Sequence, residues 1–134
     1  MEQKTSYLLM LGACLVALFS ILIVTIIFAE PLLYSALYFE DSSELPFAIE
    51  LEESSSFTFV IENHEGGVED YSYYVLLYLD GELYNVLKDG SIELDDGSMA
   101  YVTSSFVVSE DFESAQVVVI VNSQEIYFYI VSQE

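Results

Sequence analysis

The side chains with acid–base or metal-binding chemistry in this sequence are nearly all carboxylates. Of 134 residues, 23 are Asp or Glu, 2 are Lys or Arg, and one is His. The single histidine, His64, lies among turn-forming residues between Asn63 and Gly66. A zinc site needs three or four nitrogen, sulfur or carboxylate ligands in a fixed geometry, and one histidine supplies too little. The pattern therefore favours a solvated turn at His64 over a zinc site.

Calcium is the second candidate metal, because Ca²⁺ prefers carboxylate and carbonyl oxygens. Asp-Gly pairs occur at residues 80, 89 and 96, but none has the ligand spacing of an EF-hand loop. Asp-Gly is also a common turn dipeptide, so turns are the favoured interpretation of all three pairs. A specific calcium site is the weaker alternative. Its candidate ligands are Asp95, Asp96, Glu110, Asp111 and Glu113.

The sequence lacks the residues that catalysis by a Ser-His-acid triad or binding of nucleic acid would need. A Ser-His-acid triad would have to use His64, and no serine lies in the glycine pattern of a nucleophile elbow. Phosphate binding needs clustered basic residues, and the only ones here are Lys4 and Lys88, in a chain of formal net charge -21. We therefore expect a protein that is not an enzyme, holds no cofactor and binds no nucleic acid.

Tyrosine is the remaining residue type with binding chemistry, since it is enriched at interfaces and carries both an apolar ring and a hydroxyl. Such tyrosines more often pack along strand faces, and we expect most of them to do so, with two or three left exposed. The tyrosines concerned are Tyr71, Tyr73, Tyr74, Tyr78, Tyr84, Tyr101, Tyr127 and Tyr129.

An uncharged N-terminal segment determines where these residues are placed in the cell. It runs from Tyr7 to Phe28 over 22 residues, and at about 1.5 Å per residue a helix of roughly 33 Å would cross a hydrocarbon core of about 30 Å. A cleaved signal sequence is the alternative, but its apolar region normally runs only about 7 to 15 residues. The sequence predicts a single transmembrane helix over residues 7–29.

The orientation of that helix follows from the basic residues beside it. Lys4 precedes it, and the next basic residue is Lys88. Because basic residues concentrate on the cytoplasmic side, residues 1–6 are predicted to be a cytoplasmic tail and residues 30–134 to be extracytoplasmic, in a single-pass protein of the cell membrane. Cys14 lies inside the span, so the exported part has no disulfide available to it.

The exported part divides at about residue 47. Residues 30–46 read as a juxtamembrane linker whose leucines and tyrosines suit the membrane interface. From residue 47 to residue 134 the apolar pattern has a period of two, broken by turn signals such as Asp80-Gly81, Lys88–Ser91 and Asp95–Ser98. This pattern predicts a mainly β protein with an antiparallel immunoglobulin-like β-sandwich of about 7–8 strands. The strands are expected at residues 48–52, 57–62, 71–79, 83–87, 92–94, 100–108, 115–122 and 125–131.

Residues 57–73, FTFVIENHEGGVEDYSY, carry a family resemblance. The segment resembles the signature of the extracytoplasmic domain in an archaeal membrane-protein family, domain of unknown function 1616, in which a strand ends in an Asn-x-Glu-Gly turn and a Tyr opens the next strand. Asn63, Glu65, Gly66 and Tyr71 occupy those places. The resemblance implies an archaeal cell surface and brings no activity, substrate or cofactor with it.

Two functional hypotheses follow from the predicted anchor and sandwich. The first is a membrane-anchored, non-enzymatic, acidic β-sandwich module that binds an envelope protein or a glycan at an archaeal-type cell surface. The alternative is a structural subunit of a larger membrane complex or surface filament, held by its hydrophobic helix. The alternative rests on the last predicted strand, residues 125–131, which could form a sheet edge open to strand addition.

Overall fold

A computed structural model describes residues 2–29 and 32–133 of the chain. The chain forms two compact units, divided after Leu32. The first unit is one helix, α1, Glu2–Ile27, with 26 residues and no buried side chain. It is long and apolar enough to cross a membrane. The helix includes residues 2–6 of the predicted cytoplasmic tail and ends before the predicted boundary at residue 29.

Two polar side chains in the apolar part of α1 form hydrogen bonds within the helix. The Ser20 hydroxyl donates to the Val16 carbonyl, and the Thr25 hydroxyl donates to the Ile21 carbonyl, both at 2.8 Å. Because each hydroxyl bonds to the carbonyl four residues earlier, neither presents an unpaired polar group on the surface of the helix. These serine and threonine residues are therefore compatible with an apolar surrounding.

The second unit, from Leu33, consists of strands in two sheets. A three-stranded sheet has the order β1-β3-β6, and a five-stranded sheet has the order β2-β8-β7-β4-β5. All pairings are antiparallel except the short parallel pairing of β2 with β8. The prediction of a mainly β sandwich is confirmed. The strands are β1 (Tyr34–Phe39), β2 (Ala48–Ile49), β3 (Ser55–His64), β4 (Glu69–Leu79), β5 (Glu82–Leu94), β6 (Met99–Phe106), β7 (Ser114–Val121) and β8 (Gln124–Ser132).

The core lies between the inner faces of the two sheets and follows the period of two. Alternate residues of β3 and β4 are buried there, among them Phe59 and Leu77, both with no exposed surface. Phe57 of the smaller sheet meets Phe128 of the larger one, edge to face, with ring centroids 5.2 Å apart. Aromatic pairs of this geometry add to the apolar burial that holds the sheets together.

The predicted linker over residues 30–46 is wrong for Tyr34–Phe39, which forms strand β1. This segment pairs antiparallel with β3, and its alternate residues Leu37 and Phe39 pack against the core. The Phe39 ring lies 5.3 Å from the ring of Phe128. The period of two was already present in YSALYF, but its neighbouring apolar helix favoured a membrane-interface interpretation.

The predicted turn over Lys88–Ser91 is also wrong, because β5 runs unbroken from Glu82 to Leu94. Gly90 lies opposite Tyr73 in the ladder, and a Cβ atom there would lie 2.7 Å from the Tyr73 hydroxyl oxygen. The glycine is thus required for the close approach of a ring, which a strand interior can also demand. The other two Asp-Gly pairs do form turns, with Gly81 at φ 87° and Gly97 at φ 78°.

Candidate functional site

Asn63, the first residue of the family-like motif, is a buried hub that joins two turns. Its side-chain amide donates to the carbonyls of Gly67 and Leu94, at 2.7 and 2.8 Å, and its side-chain oxygen accepts from the Glu65 amide at 2.9 Å. The residue has no exposed surface. Asn63 therefore ties the β3–β4 turn to the end of β5 through three side-chain hydrogen bonds.

Gly66 completes that connection through the main chain. It has φ 89°, a left-handed conformation that favours glycine. Its amide donates to the Asp96 carboxylate at 3.0 Å, across to the β5–β6 turn. Asn63 and Gly66 thus have structural roles, as does Asp96, one of the calcium candidates.

Glu65 and Tyr71, the other two motif residues, line a cleft of about 220 Å³ beside β1. The Tyr71 hydroxyl lies 2.6 Å from Ser35 Oγ, and Ser35 donates to Glu65 Oε1 at 2.9 Å. Since Ser35 has one hydroxyl proton and gives it to Glu65, Tyr71 must be the donor to Ser35. The Gln124 amide, donating to the Ser35 carbonyl at 2.9 Å, closes the cleft between the sheets. The motif residues are largely occupied in holding this end of the sandwich together.

The five calcium candidates are split between two ends of β6. Asp95 and Asp96 precede the strand, and the other three follow it, so its eight residues, roughly 25 Å at ~3.4 Å per residue, separate the two groups. Within residues 2–29 and 32–133, no group of three or more His, Cys, Asp or Glu side chains could hold a metal ion. The residues that follow β6, Glu110, Asp111 and Glu113, therefore do not join Asp95 and Asp96 in one site.

His64 ends β3 and stacks on Tyr34, with ring centroids 4.7 Å apart. Its Nε2 atom lies 3.7 Å from a carboxylate oxygen of Glu62. These contacts place it against β1 on the surface of the sandwich, as a packed aromatic ring at a strand end.

The tyrosines are more exposed than the sequence predicted. Tyr71 and Tyr73 are buried, and Tyr78 and Tyr84 are intermediate. Four of the eight are exposed instead of two or three: Tyr74, Tyr101, Tyr127 and Tyr129. Three of these four lie on the five-stranded sheet, and the three-stranded sheet also has three exposed tyrosines, Tyr34, Tyr38 and Tyr101.

The outer face of the five-stranded sheet is built from cross-strand rows. One row joins Tyr127, Val118, Leu76 and Val86 across β8, β7, β4 and β5, and the next joins Tyr129, Gln116, Tyr78 and Leu83. A third row has Ile120 and Tyr74 at its centre. Residues opposite each other in a ladder share a face. We call this surface the tyrosine face: Tyr74, Leu76, Tyr78, Leu83, Val86, Gln116, Val118, Ile120, Tyr127 and Tyr129.

Two register shifts between β4 and β5 keep the tyrosine face continuous. They lie between Val75 and Leu76 and between Leu77 and Tyr78, so that β5 supplies extra residues there. Two β5 residues without a partner in the register, Tyr84 and Leu87, pack against the core. Bulges of this kind re-aim side chains without ending a strand. They allow residues 83 and 86 to face outward together.

The tyrosine face is most closely packed at its centre. Val118, at the centre of the face, retains 6% exposure although its side chain is on the outer side, because its neighbours cover it. Tyr127 and Tyr129, two residues apart on β8, meet edge to face with centroids 5.6 Å apart. The tyrosine face has Glu125 and Asp89 at the two ends of its third row.

The outer face of the three-stranded sheet differs from the tyrosine face because two of its tyrosine hydroxyls form hydrogen bonds within the protein. Tyr38 and Tyr101 lie on either side of Val60 there. The Tyr38 hydroxyl donates to Glu62 at 3.0 Å, and desolvation together with this carboxylate raises the pKa of Tyr38. The Tyr101 hydroxyl donates to the Met99 sulfur at 3.2 Å. Both hydroxyls are therefore engaged within the protein.

Residues 71–79 carry apolar or aromatic side chains on both faces, a sequence pattern typical of a central strand. β4 is central in its sheet, between β7 and β5, but nothing in the described second unit covers its outer side chains. The sequence signal for the tyrosine face was thus present, but it could not distinguish a face covered by a second layer from one left open.

The two sheets and their connectivity define an immunoglobulin-like β-sandwich, as known structures bear out. The chain is similar to a β-glucosidase from Listeria innocua in complex with glucose, with TM-score 0.63 and 15% identity over 78% of this chain and 17% of that chain. It is similar to the CARDB domain of PF1109 from Pyrococcus furiosus in complex with di-metal ions, with TM-score 0.55 and 14% identity over 78% of this chain and 96% of that chain. The third similar structure is the alkylpurine DNA glycosylase AlkC of Pseudomonas fluorescens bound to DNA containing an abasic site analogue. The TM-score is 0.60 and the identity 14%, over 82% of this chain and 33% of that chain.

These similarities define the fold alone, since the identities are low and the chain spans 17% of the β-glucosidase and 33% of the glycosylase. The predicted immunoglobulin-like sandwich is confirmed, with a CARDB domain as a neighbour of similar extent. No protein-family model matches the sequence, and no curated protein matches it. Membership of the domain of unknown function 1616 family therefore stays a prediction.

Proposed function

We propose that this protein is a membrane-anchored, non-enzymatic binding module, and that an envelope protein or a glycan binds to its tyrosine face. The observation that carries the proposal is the lack of charge at the centre of that face, on a chain of net charge -21. Contiguous exposed apolar surface marks interaction sites on soluble domains. The carboxylates elsewhere keep the domain soluble, so the open aromatic surface can persist.

The proposed topology places the sandwich outside the cytoplasm. Its support is the helix Glu2–Ile27, which is long and apolar enough to span a membrane. Lys4 at its beginning favours a cytoplasmic N-terminus. Together with the family resemblance, this supports display at an archaeal-type cell surface.

The experiment uses the full chain in lipid nanodiscs, incubated with solubilised envelope of the organism that makes it. The test variant carries Tyr127→Ser and Tyr129→Ser, and the matched control carries Tyr38→Ser and Tyr101→Ser on the opposite sheet. We expect the wild type and the control to retain the same stoichiometric partner and the test variant to lose it. A wild-type protein that retains no partner, or a test variant that binds like the control, would contradict the proposal.

The alternative, a structural subunit of a larger assembly, loses only part of its original support, since residues 124–130 of β8 have no partner among the described strands on the side away from β7. The last strand is not an open edge along its whole length, because β8 pairs with β7 on one side and with β2 at Val131 and Ser132 on the other. The long free edge of the larger sheet is β5, where Glu82, Asp89 and Glu93 oppose the addition of another strand. A homogeneous large particle in mild detergent would restore this alternative.

A further inference from the structure

We infer that the partner on the tyrosine face is a neutral glycan chain, an assignment that rests on the proposed binding function of that face. The first argument is size. Four strands about 4.8 Å apart and three rows about 6.6 Å apart give a surface of roughly 400 Å². A stable complex between folded proteins buries about 800 Å² of accessible surface on each partner and includes a rim around the apolar centre, so a folded partner would also have to contact the carboxylates at the border of this face. A short stretch of sugar rings needs no more than the face provides.

The second argument is the mixture of apolar rings and free hydroxyls. Within the described part of the chain, the hydroxyls of Tyr74, Tyr78, Tyr127 and Tyr129 make no hydrogen bond, nor does the amide of Gln116. An apolar peptide or a lipid chain would bury these groups without partners, at a cost of about 1–3 kcal/mol for each buried group. A sugar presents an apolar C–H surface to an aromatic ring and hydroxyls to the polar groups beside it. A glycan bound to the tyrosine face would therefore pack on the rings and form hydrogen bonds with the free hydroxyls.

The third argument is charge, which decides the kind of glycan. The face has no basic residue, and Lys88, the one Lys or Arg after residue 4, donates to the Thr103 carbonyl at 2.9 Å. Glu125 and Asp89 close the third row, on a protein of net charge -21. Uronate or sulfated chains would be repelled, whereas neutral sugar hydroxyls can donate to the two carboxylates. The geometry and the charge together select a neutral glycan.

The test treats solubilised envelope material in two ways and then incubates each portion, freed of protease or periodate, with the full chain in nanodiscs. One portion is digested exhaustively with protease, and the other is oxidised with periodate, which cleaves the vicinal diols of sugars. We expect retention after proteolysis and loss after periodate. Retention after periodate with loss after proteolysis would overturn the glycan assignment while leaving the proposed binding function in place. No capture at all would overturn both.

A second arm uses immobilised neutral polysaccharides, dextran, mannan and galactan, with polygalacturonate and dextran sulfate as charged probes. We expect binding to a neutral probe and none to the charged probes. The Tyr127→Phe, Tyr129→Phe variant keeps both rings and removes both hydroxyls. Its affinity for the captured glycan should fall by about tenfold, equivalent to ~1.4 kcal/mol. The Tyr38→Phe, Tyr101→Phe control should bind as the wild type does. Binding that is unchanged or stronger in the first Phe variant would indicate an apolar protein partner and contradict the inference.

Discussion

Replacement of Asn63 tests the central structural argument of this end of the sandwich. Asn63→Ala leaves the Leu94 carbonyl, the Gly67 carbonyl and the Glu65 amide without their partner. The bond to Leu94 is buried and the other two are partly buried. At about 2 kcal/mol for the buried carbonyl and about 1 kcal/mol for each of the others, the loss is about 4 kcal/mol. This is a large fraction of the ~5–15 kcal/mol that stabilises an ordinary domain.

The stability of the Asn63→Asp variant should depend on pH. The introduced carboxyl group keeps the bond from the Glu65 amide but places oxygen where the amide donated to two carbonyls, at 2.7 and 2.8 Å. Burial and the two carbonyl dipoles raise its pKa in the folded state above the unfolded value of about 3.9. The protonated form is therefore favoured by folding. The variant is closest to the wild type below about pH 4 and loses stability as the pH rises through the folded-state pKa, by up to ~1.4 kcal/mol per unit.

Urea unfolding followed by near-ultraviolet circular dichroism of the tyrosines measures both effects, since the chain has no tryptophan. Measurements between about pH 5 and pH 8 stay above the isoelectric point of about 4.1. Asn85→Asp, at an exposed position of β5, adds the same charge and is the matched control. If Asn63→Asp were no more destabilising than Asn85→Asp at neutral pH, Asn63 would not be the hub that its bonds indicate.

Three further predictions concern stability. Ser104→Ala should leave the free energy of unfolding unchanged or raise it by up to ~1 kcal/mol, because the buried Ser104 hydroxyl has no hydrogen-bond partner within the described residues; a loss above that size in urea unfolding would reveal a partner. Gly90→Ala should lower the melting temperature by the equivalent of about 1–3 kcal/mol, because the added methyl group meets Tyr73, whereas the control Gly67→Ala, with open space around it, should melt near the wild type. Added salt should raise the melting temperature, since screening weakens the self-repulsion of a chain with net charge -21; a melting temperature that falls between low and moderate NaCl would contradict this.

The sequence predicted those features that depend on neighbouring residues. Asp80-Gly81 was assigned as a hairpin turn from its dipeptide, and both residues have positive φ, 48° and 87°. Gly90 follows Asp in the same way, yet it lies inside β5 because the ring of Tyr73, 17 positions earlier, needs the space. A local pattern cannot reveal a contact made across a ladder. The same limit explains β1, whose pairing with β3 joins residues up to 30 positions apart.

The candidate site could be predicted only in part for a related reason. A period of two assigns residues to two faces of a strand, but only the packing of the second sheet determines which of the two faces is covered. Here three strands oppose five, and the smaller sheet covers only the inner face of the larger one. The outer residues Tyr74, Leu76 and Tyr78 of β4 are apolar or aromatic, as the buried ones are, so their exposure is a property of the assembled sandwich.

The distribution of charge gives this exposure a physical meaning. A face with rows such as Tyr127, Val118, Leu76 and Val86 would promote aggregation on a neutral protein. On a domain whose remaining surface is dense in carboxylates, two copies approaching face to face are repelled before the rings meet. A neutral partner with its own hydroxyls experiences no such repulsion. If the proposed assignment holds, the acidity of the chain repels other copies and anionic polymers, and we expect a neutral glycan to bind the tyrosine face without that repulsion.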